Sequence, residues 1–268
     1  MRTNMPTARF SSFILATLFT ASAIAGEPTS SKLSIHKVAE HPATEAHQAV
    51  AVDKKSFFAI TNRAIGRYDK QTGERQAKWS APAGSPVIHL NSGIVIDGKL
   101  YCANSNWPKS PLRNSVEVFD ATSLEHLDRI EFSETRGAIN WIDRRDGSWW
   151  IVFAYYATVV EKTRLVRYSD KWESMGQWNF PDTVLKRFSP NSNSGGAFGP
   201  RGRLFATGHD HAEMYVLELP KTPGVMKHLT TVAAPIAGQG IAFDPDNANR
   251  VYGIVRKKRI VVSMRLGE

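Results

Sequence analysis

Apolar and polar residues alternate in short segments along most of this 268-residue chain, and one order of segments is repeated. Residues 91–106 begin with small polar residues, continue as an alternating apolar strand, turn at Asp97-Gly98, and end in a second strand with polar residues at its end. An Asp-Gly pair between two apolar runs is typical of a β-hairpin. Equivalent hairpins align on positions 53, 97, 143, 199 and 244, so the sequence predicts five repeats.

Each repeat contains more strands than its hairpin. A third strand is predicted after every hairpin, and a fourth, outer strand after the first four. The last repeat ends after its third strand, and the alternating residues 32–38 can supply its missing strand. Four-stranded units at a period of about 45 residues are the signature of a propeller. The predicted fold is therefore all-β: a single domain over residues 32–268, a five-bladed β-propeller closed by its N-terminal strand.

Small residues recur in the innermost predicted strands: Ala49, Gly93, Gly195, Gly196 and Gly240. In a ring of five blades these strands converge at the axis, where larger side chains would collide, and glycine marks close backbone approach. The largest step between repeats contains residues 181–190. We expect this stretch to be a long loop on one face, since no helical periodicity of useful length competes with the strand pattern.

The first 25 residues form a segment of a different kind. Arg2 and Arg9 precede an apolar run over residues 10–25, which ends in Ala23-Ile24-Ala25. Charge, length and these small residues are those of a secretory signal peptide. The alternative, a transmembrane anchor, needs about 20 apolar residues, and this run is shorter and interrupted by Ser and Thr. We therefore expect residues 1–25 to be a signal peptide, and the protein to be periplasmic or secreted, without a stable membrane anchor.

The charge of the chain is basic but dispersed. A formal charge of +9 becomes +7 when Arg2 and Arg9 leave with the signal. Nucleic-acid-binding proteins gather basic residues on one face with interleaved aromatics, so nucleic acid is excluded as the expected partner. A monomer that binds a small molecule or glycan is expected instead. Cys102, the single cysteine, leaves no internal disulfide and is expected to be a buried apolar side chain.

Propeller topology gathers polar residues at one opening of the ring. The start of each innermost strand and the end of the next strand lie at the same face. The residues at this predicted mouth are His47, His89, Asn91, Ser92, Asn193, Ser194 and Gln239 from strand starts, and Asn62, Asn104, Asn106, Trp107, Tyr155, Tyr156, His209, Asp210 and His211 from strand ends. Converging polar groups in a concavity are typical of a ligand site, so the mouth is the predicted site.

His209-Asp210-His211 is the sharpest motif at this mouth. Histidines two residues apart on a strand point to the same side, and imidazole suits zinc and similar divalent metals. His209 and His211 are therefore candidate metal ligands, with His47 as a third. The alternative is a turn whose histidines form surface hydrogen bonds. The sequence does not identify a cofactor, and a divalent metal is one option.

Histidine can also transfer protons without a metal, because an unperturbed imidazole titrates near neutral pH. His47 or His209 would then be the catalytic base, and Asp210 would orient it. The alternative, which applies to His89 as well, is a hydrogen bond from a strand end to a neighbouring blade.

Polar and aromatic side chains make up the predicted substrate-binding set: His89, Asn91, Asn104, Asn106, Trp107, Tyr155, Tyr156, Asn193, Ser194 and Gln239. Amides bind hydroxyl groups and flat rings cover apolar edges, as in sites for sugars and small acids. The alternative is an Asn-rich turn with aromatics packed at the rim. The basic residues 256–258, also on the mouth side, are expected to form a solvated turn, with attraction of a carboxylate or phosphate as the other reading.

The final repeat, Gly240-Ile-Ala-Phe-Asp-Pro245 followed by Val251-Tyr-Gly253, resembles the closing blade of plant-type glutaminyl cyclases. Residues 32–268 are also similar to exported bacterial propeller proteins labelled as cycloisomerases. These resemblances imply the five-bladed architecture. The cyclases share a Thr-Gln-Gly motif in the first blade where this chain has His47-Gln48-Ala49, so the architecture is carried over and the catalytic residues are not.

Together these observations predict an exported propeller enzyme that acts on a small polar or sugar-like substrate at the mouth. The reaction would be hydrolysis, or cyclisation and isomerisation, by histidine acid–base groups, with metal assistance as an option. The alternative is a propeller without turnover that binds glycan or protein through Trp107, Tyr155 and Tyr156.

Overall fold

The computed structural model describes Met1 and residues 33–133 and 136–267. The signal peptide predicted over residues 1–25 lies, after Met1, outside the described residues. Within them the strands are β1 (Ser34–Pro42), β2 (Ala49–Val52), β3 (Ser56–Ile60), β4 (Ala64–Asp69), β5 (Arg75–Ser80), β6 (His89–Ile96), β7 (Lys99–Ser105), β8 (Asn114–Asp120), β9 (His126–Phe132), β10 (Ala138–Arg145), β11 (Ser148–Ala154), β12 (Arg164–Tyr168), β13 (Ser174–Asn179), β14 (Asn193–Phe198), β15 (Leu204–Gly208), β16 (Glu213–Glu218), β17 (Lys227–Ala233), β18 (Ala242–Asp244), β19 (Asn247–Val255) and β20 (Ile260–Gly267). The helices are α1 (Asp182–Phe188) and two 3₁₀ turns, Ala157–Lys162 and Pro200–Gly202.

The strands form five antiparallel sheets of four strands each, within one compact unit. Four sheets use consecutive strands, and the fifth has the order β1-β20-β19-β18. β1 pairs with β20 from Ser34 opposite Gly267 to Pro42 opposite Ile260. This confirms the five-bladed β-propeller closed by its N-terminal strand, and β1 covers an edge of β20 that would otherwise be open to pairing.

β1 extends four residues beyond the predicted end of the N-terminal strand at Val38. A bulge between Lys37 and Ala39 shifts its register against β20. The bulge breaks the alternation of apolar and polar residues, which is why the strand pattern in the sequence ends there.

Hydrogen bonds join each blade to the next near the start of the innermost strands. These bonds, one at each of the five junctions, are Leu90 N to Asn62 O (3.0 Å), Asn91 Nδ2 to Ile139 O (3.1 Å), Asn140 Nδ2 to Asn193 O (2.5 Å), Thr207 Oγ1 to Gln239 O (2.6 Å) and Gly240 N to Gln48 O (3.0 Å). Buried polar groups need such partners. The ring is therefore tied together at the same level as the predicted mouth.

The innermost strands approach each other closely at Gly195 and Gly240. A Cβ atom on Gly195 would lie 2.5 Å from Gln239 O and 2.6 Å from the Cα of Gly240. A Cβ atom on Gly240 would in turn collide with the Cβ of Ala49. The crowding expected at the axis is present, and it restricts these positions to glycine.

Apolar side chains pack in layers between the blades. The largest fully buried one is Trp141 on β10, which belongs to the same cluster as Trp150 of its own sheet and Leu204 of the next. Cys102 is buried as expected, and burial raises the pKa of its thiol well above the ordinary value. Such packing holds the strand ends, and the loops that follow them, in defined positions at the mouth.

The long connection at residues 181–190 contains helix α1, which the sequence pattern did not predict. Val184 and Phe188 lie one turn apart and are buried, and the ring of Phe188 packs edge to face on Tyr215 at 5.4 Å between centroids. A helix of seven residues is too short for its periodicity to be recognised. Among the described residues, no helix has the length and apolar character needed to cross a membrane.

Candidate functional site

One opening of the propeller contains a polar cavity of about 630 Å³. Strand ends and loops from all five blades line it: His47, Gln48, Asn62, Ile88, His89, Asn91, Trp107, Pro108, Asn140, Tyr156, Ala157, Pro190, Asn191, Ser194, His209, Gln239 and Arg256. The opposite opening holds a space of about 80 Å³ with a mainly apolar lining and the buried Asp143. The larger cavity is at the predicted mouth and is the candidate functional site.

Three of the innermost strands carry a β-bulge at the mouth. The pairing of β6 with β7 skips Asn91, that of β10 with β11 skips Asn140, and that of β14 with β15 skips Ser194. A bulged residue has no partner in the ladder, and its side chain is turned away from the regular direction. All three skipped residues line the cavity. Equivalent bulges therefore supply equivalent polar side chains to the site from three blades.

His209 is held on both sides by charged groups. Its Nδ1 lies 2.7 Å from Asp210 Oδ1, and its Nε2 lies 3.1 Å from Arg256 Nη1. The second oxygen of Asp210 accepts a hydrogen bond of 2.8 Å from Asn191 Nδ2. The hydrogen bonds from His209 and Asn191 hold the pKa of Asp210 below its ordinary value. The carboxylate therefore fixes the direction of the imidazole, whose other nitrogen points to Arg256 in the lining.

Arg256 connects two histidines across the mouth. Its Nη2 lies 3.1 Å from His47 Nε2, while Nη1 contacts His209. A guanidinium only donates hydrogen bonds, so both Nε2 atoms accept and neither carries a proton. Burial, and next the charge of Arg256, lower the pKa of His47 from 6.5 to about 4. His47 and His209 are thus arranged as proton acceptors.

His89 is fixed by hydrogen bonds at the other side of the cavity. Gln48 Nε2 lies 3.3 Å from His89 Nε2 and 2.5 Å from Asn62 Oδ1. Burial lowers the pKa of His89, and a hydrogen bond to the backbone of Trp107 opposes the shift. Gln48 and His89 thus form a neutral hydrogen-bonded wall that joins the first two blades.

An aromatic platform covers one side of the mouth. Trp107 stacks on Tyr156 with ring centroids 4.3 Å apart and 15° between the planes. Trp107 is 38% exposed and lies in the cavity lining, so part of its surface is available to a ligand. Burial raises the pKa of Tyr156 to about 12, although a hydrogen bond with Asn140 opposes the shift. The phenol stays protonated at neutral pH and contributes an apolar ring.

The structure brings nine of the sequence-predicted site residues into the cavity lining. These are His47, Asn62, His89, Asn91, Trp107, Tyr156, Ser194, His209 and Gln239. Asp210 lies behind His209 and reaches the cavity through it. Six others are not in the lining: Ser92, Asn104, Asn106, Tyr155, Asn193 and His211.

The predicted residues outside the lining are used by the fold. Asn104 Oδ1 accepts from the backbone N–H groups of Ile88 and His89 at 3.1 Å each, and it thereby holds the start of β6. Asn106 bonds twice within its own loop, and Tyr155 accepts from Arg164 at 3.2 Å. Asn193 Nδ2 donates to Gly195 O and Thr207 O inside the sheet. These side chains support the mouth rather than face it.

The histidine pair proposed as metal ligands lies in the bend between β15 and β16 and not on a strand. His209 uses its two ring nitrogens on Asp210 and Arg256, and His211 does not line the cavity. In the part of the chain that the structure describes, no group of three or more His, Cys, Asp or Glu side chains is arranged to hold a metal ion. A guanidinium between His47 and His209 also places positive charge where a cation would bind.

Some lining residues were not singled out by the sequence. Asn140 occupies the same bulge position as Asn91 and Ser194. Alignment of the repeats at this position would have predicted that Asn140 belongs to the site. Asn191 follows helix α1 and lies outside the repeated strand pattern, so the repeats do not predict its position. The sequence predicts Arg256 in a solvated basic turn, but it lies in the cavity wall, while Lys257 and Lys258 are exposed.

Neither a protein-family profile nor a curated protein sequence matches the chain. The structure is similar to that of a luciferin-regenerating enzyme, with 9% identity and a TM-score of 0.52, over 88% of this chain and 96% of that one. A gluconolactonase from Xanthomonas campestris matches with 14% identity and a TM-score of 0.49, over 81% and 71%. At 9% identity, the likeness to the luciferin-regenerating enzyme shows the fold alone. The resemblance to glutaminyl cyclases and cycloisomerase-labelled proteins stays a prediction.

Proposed function

We propose that the protein is an enzyme that hydrolyses a small polar ester or lactone at the propeller mouth, with His209 as general base. One observation carries the proposal: His209 lies between a carboxylate 2.7 Å from Nδ1 and a guanidinium 3.1 Å from Nε2, at the wall of a polar cavity. A base oriented by a carboxylate is the arrangement that hydrolases use to remove a proton from a nucleophile. The shared fold adds the architecture and not the reaction.

Both partners of His209, namely Arg256 and Asp210, take part in the reaction. When a substrate carbonyl oxygen takes the hydrogen bond of Arg256, the lone pair of His209 Nε2 becomes available to a water molecule. The water oxygen attacks the carbonyl carbon while Nε2 takes its proton, and Asp210 stabilises the imidazolium. Arg256 stabilises the negative charge on the former carbonyl oxygen. As the carbon–oxygen bond to the leaving group breaks, His209 returns the proton to it, giving an acid and an alcohol.

The rest of the lining matches a substrate with hydroxyl groups and an apolar edge. The bulge residues Asn91, Asn140 and Ser194 offer amide and hydroxyl partners, and the exposed face of Trp107 offers a flat surface. Sugar-like molecules are recognised by this combination. A cation beside the base stabilises the oxyanion that forms when water adds to a carbonyl carbon.

Acid release from a panel of sugar lactones and small esters, including glucono-δ-lactone, tests this function. Wild-type protein is expected to exceed the spontaneous rate for at least one compound. Ser194→Trp fills the mouth and is expected to lower that rate about tenfold or more, because the substrate can no longer reach the base. Ser174→Trp, on the exposed outer strand β13, is the matched control and is expected to behave like wild type. No release above the spontaneous rate, or equal losses in both variants, would contradict the proposal.

A second candidate function is glycan binding without turnover. The stacked pair of Trp107 and Tyr156 favours it, since a partly exposed indole supported from behind is a common surface for sugar rings. Saturable glycan binding that is lost in Trp107→Ala, together with absence of acid release, would favour this function over hydrolysis. Export through the segment at residues 1–25 and a monomeric state are also proposed, on the sequence pattern alone.

A further inference from the structure

We infer that the mouth binds a small hydroxy acid through its single carboxylate, with Arg256 as the carboxylate receptor and Gln239 as a second donor. This inference deepens the proposed function and rests on it in one respect: hydrolysis of a lactone or ester forms a carboxylate at the position where Arg256 held the carbonyl oxygen.

Arg256 carries a positive charge that no acidic side chain pairs with among the described residues. Among the described residues it forms no ion pair with Asp or Glu, and its hydrogen bonds at 3.1 Å go to the imidazoles of His47 and His209. It is also the one charged side chain in the described lining, where the histidine Nε2 atoms accept its hydrogen bonds. A half-buried guanidinium normally pairs with an acid. Its position at the cavity wall therefore points to an anion that comes from solution.

A carboxylate is a better partner for Arg256 than the two imidazoles. Hydrogen bonds from a guanidinium to a carboxylate are charge-assisted, and the planar fork matches two carboxylate oxygens. A neutral imidazole accepts one weaker bond. An incoming carboxylate would displace the Arg256 contacts with His47 and His209 and leave both Nε2 atoms free to contact the ligand.

Gln239 supplies an independent observation at the same wall. Its side chain is 2% exposed and lines the cavity, and its Nε2 has no hydrogen-bond partner among the described residues. The residue is held at φ +73°, and its backbone carbonyl accepts from Thr207 at 2.6 Å. An unpaired buried donor costs free energy unless a ligand accepts its bond. Gln239 thus offers a second donor to an anionic ligand.

The remaining groups indicate one carboxylate and several hydroxyls. Among the described residues, no donor reaches the buried Oδ1 of Asn140 in the lining, so this oxygen can accept from a ligand hydroxyl. Phosphate carries between one and two negative charges near neutral pH, and several cations or backbone N–H groups usually bind it. The described lining has a single cation, which balances a single negative charge. A hydroxy monocarboxylate fits this set of donors and acceptors.

Calorimetric titration with sodium gluconate tests the inference, with the neutral polyol sorbitol and inorganic phosphate as comparison ligands. Gluconate is expected to bind wild type about tenfold more tightly than sorbitol and more tightly than phosphate. Arg256→Gln is expected to weaken gluconate binding about tenfold or more, and Arg256→Lys to restore part of it because the charge is kept. Lys258→Gln removes an exposed charge from the same turn and is expected to leave binding unchanged.

The outcomes separate this inference from the proposed function. Absence of gluconate binding, equal binding of sorbitol, tighter binding of phosphate, or equal loss in Arg256→Gln and Lys258→Gln would each overturn it. The comparison of gluconate with sorbitol uses wild type, so it holds even where a variant fails to fold. Gluconate binding without any acid release from lactones keeps the inference and rejects the proposed function. Acid release without gluconate binding does the reverse.

Discussion

Replacing His209 with alanine is expected to lower the turnover of a lactone or ester substrate by about 10²- to 10⁴-fold, the usual contribution of a general base. The loss should appear in kcat, because His209 acts on the proton that moves in the transition state. Asp210→Asn should lower kcat by a smaller factor, since the imidazole remains while its orientation and the stabilisation of its charged form are reduced. Initial rates across a range of substrate concentrations measure both effects.

The control for this prediction is His228→Ala. His228 lies on the outer strand β17, where its ring bonds to Thr183 and Thr231, and it is not among the lining residues. Its removal should leave kcat unchanged. Equal kcat values for wild type and His209→Ala, with both proteins folded, would remove His209 from the reaction.

Asp143 is expected to make the protein less stable as the pH rises from about 4 to about 6. Burial raises the pKa of this carboxyl from 3.8 to about 6, against the hydrogen bonds from the backbone N–H groups of Phe198 and Arg144. The folded chain therefore binds the proton more tightly than the unfolded chain. The resulting stability is fully present below pH 3.8 and is lost as the pH rises through about 6. The shift corresponds to about 3 kcal/mol.

Urea unfolding at several pH values measures this effect as a difference between wild type and Asp143→Asn, which cannot titrate at this position. Taking the difference removes the contributions of all other carboxylates. The wild-type free energy of unfolding should decline relative to that of the variant across the window. Asp246→Asn, in the exposed turn between β18 and β19, serves as the control. A constant difference between wild type and Asp143→Asn would show that folding does not raise the pKa of Asp143.

Most of the fold could be predicted because the repeat is a property of the sequence itself. Asp-Gly turns and alternating apolar positions fix where strands begin and end, and the missing outer strand of the last blade points to residues 32–38. Helix α1 was not predicted because two turns are too short to show a recurrence of apolar residues. The end of β1 was not predicted because the bulge after Lys37 interrupts the alternation.

The location of the site could be predicted, but the direction of individual side chains could not. Topology places the start of each innermost strand and the end of the next strand at one opening, so His47, His89 and His209 meet there. Whether an asparagine faces the cavity or the sheet depends on bulges, which a single sequence does not reveal. Asn91 is turned inward by its bulge, while Asn104, on the paired strand, binds backbone N–H groups. The position of Arg256 in the cavity wall could not be predicted either, because the sequence of a basic run does not indicate which of its residues is buried.

The role of His209 as the base is tested most directly by the protonation of its ring. ¹⁵N NMR on histidine-labelled protein near neutral pH observes this protonation, and His209→Gln assigns the signal. The contacts with Asp210 and Arg256 predict a neutral ring with its proton on Nδ1 and a bare Nε2. A proton on Nε2, whether in the other neutral form or in a charged imidazolium, would mean that His209 has no lone pair directed at the mouth and would contradict its role as the base.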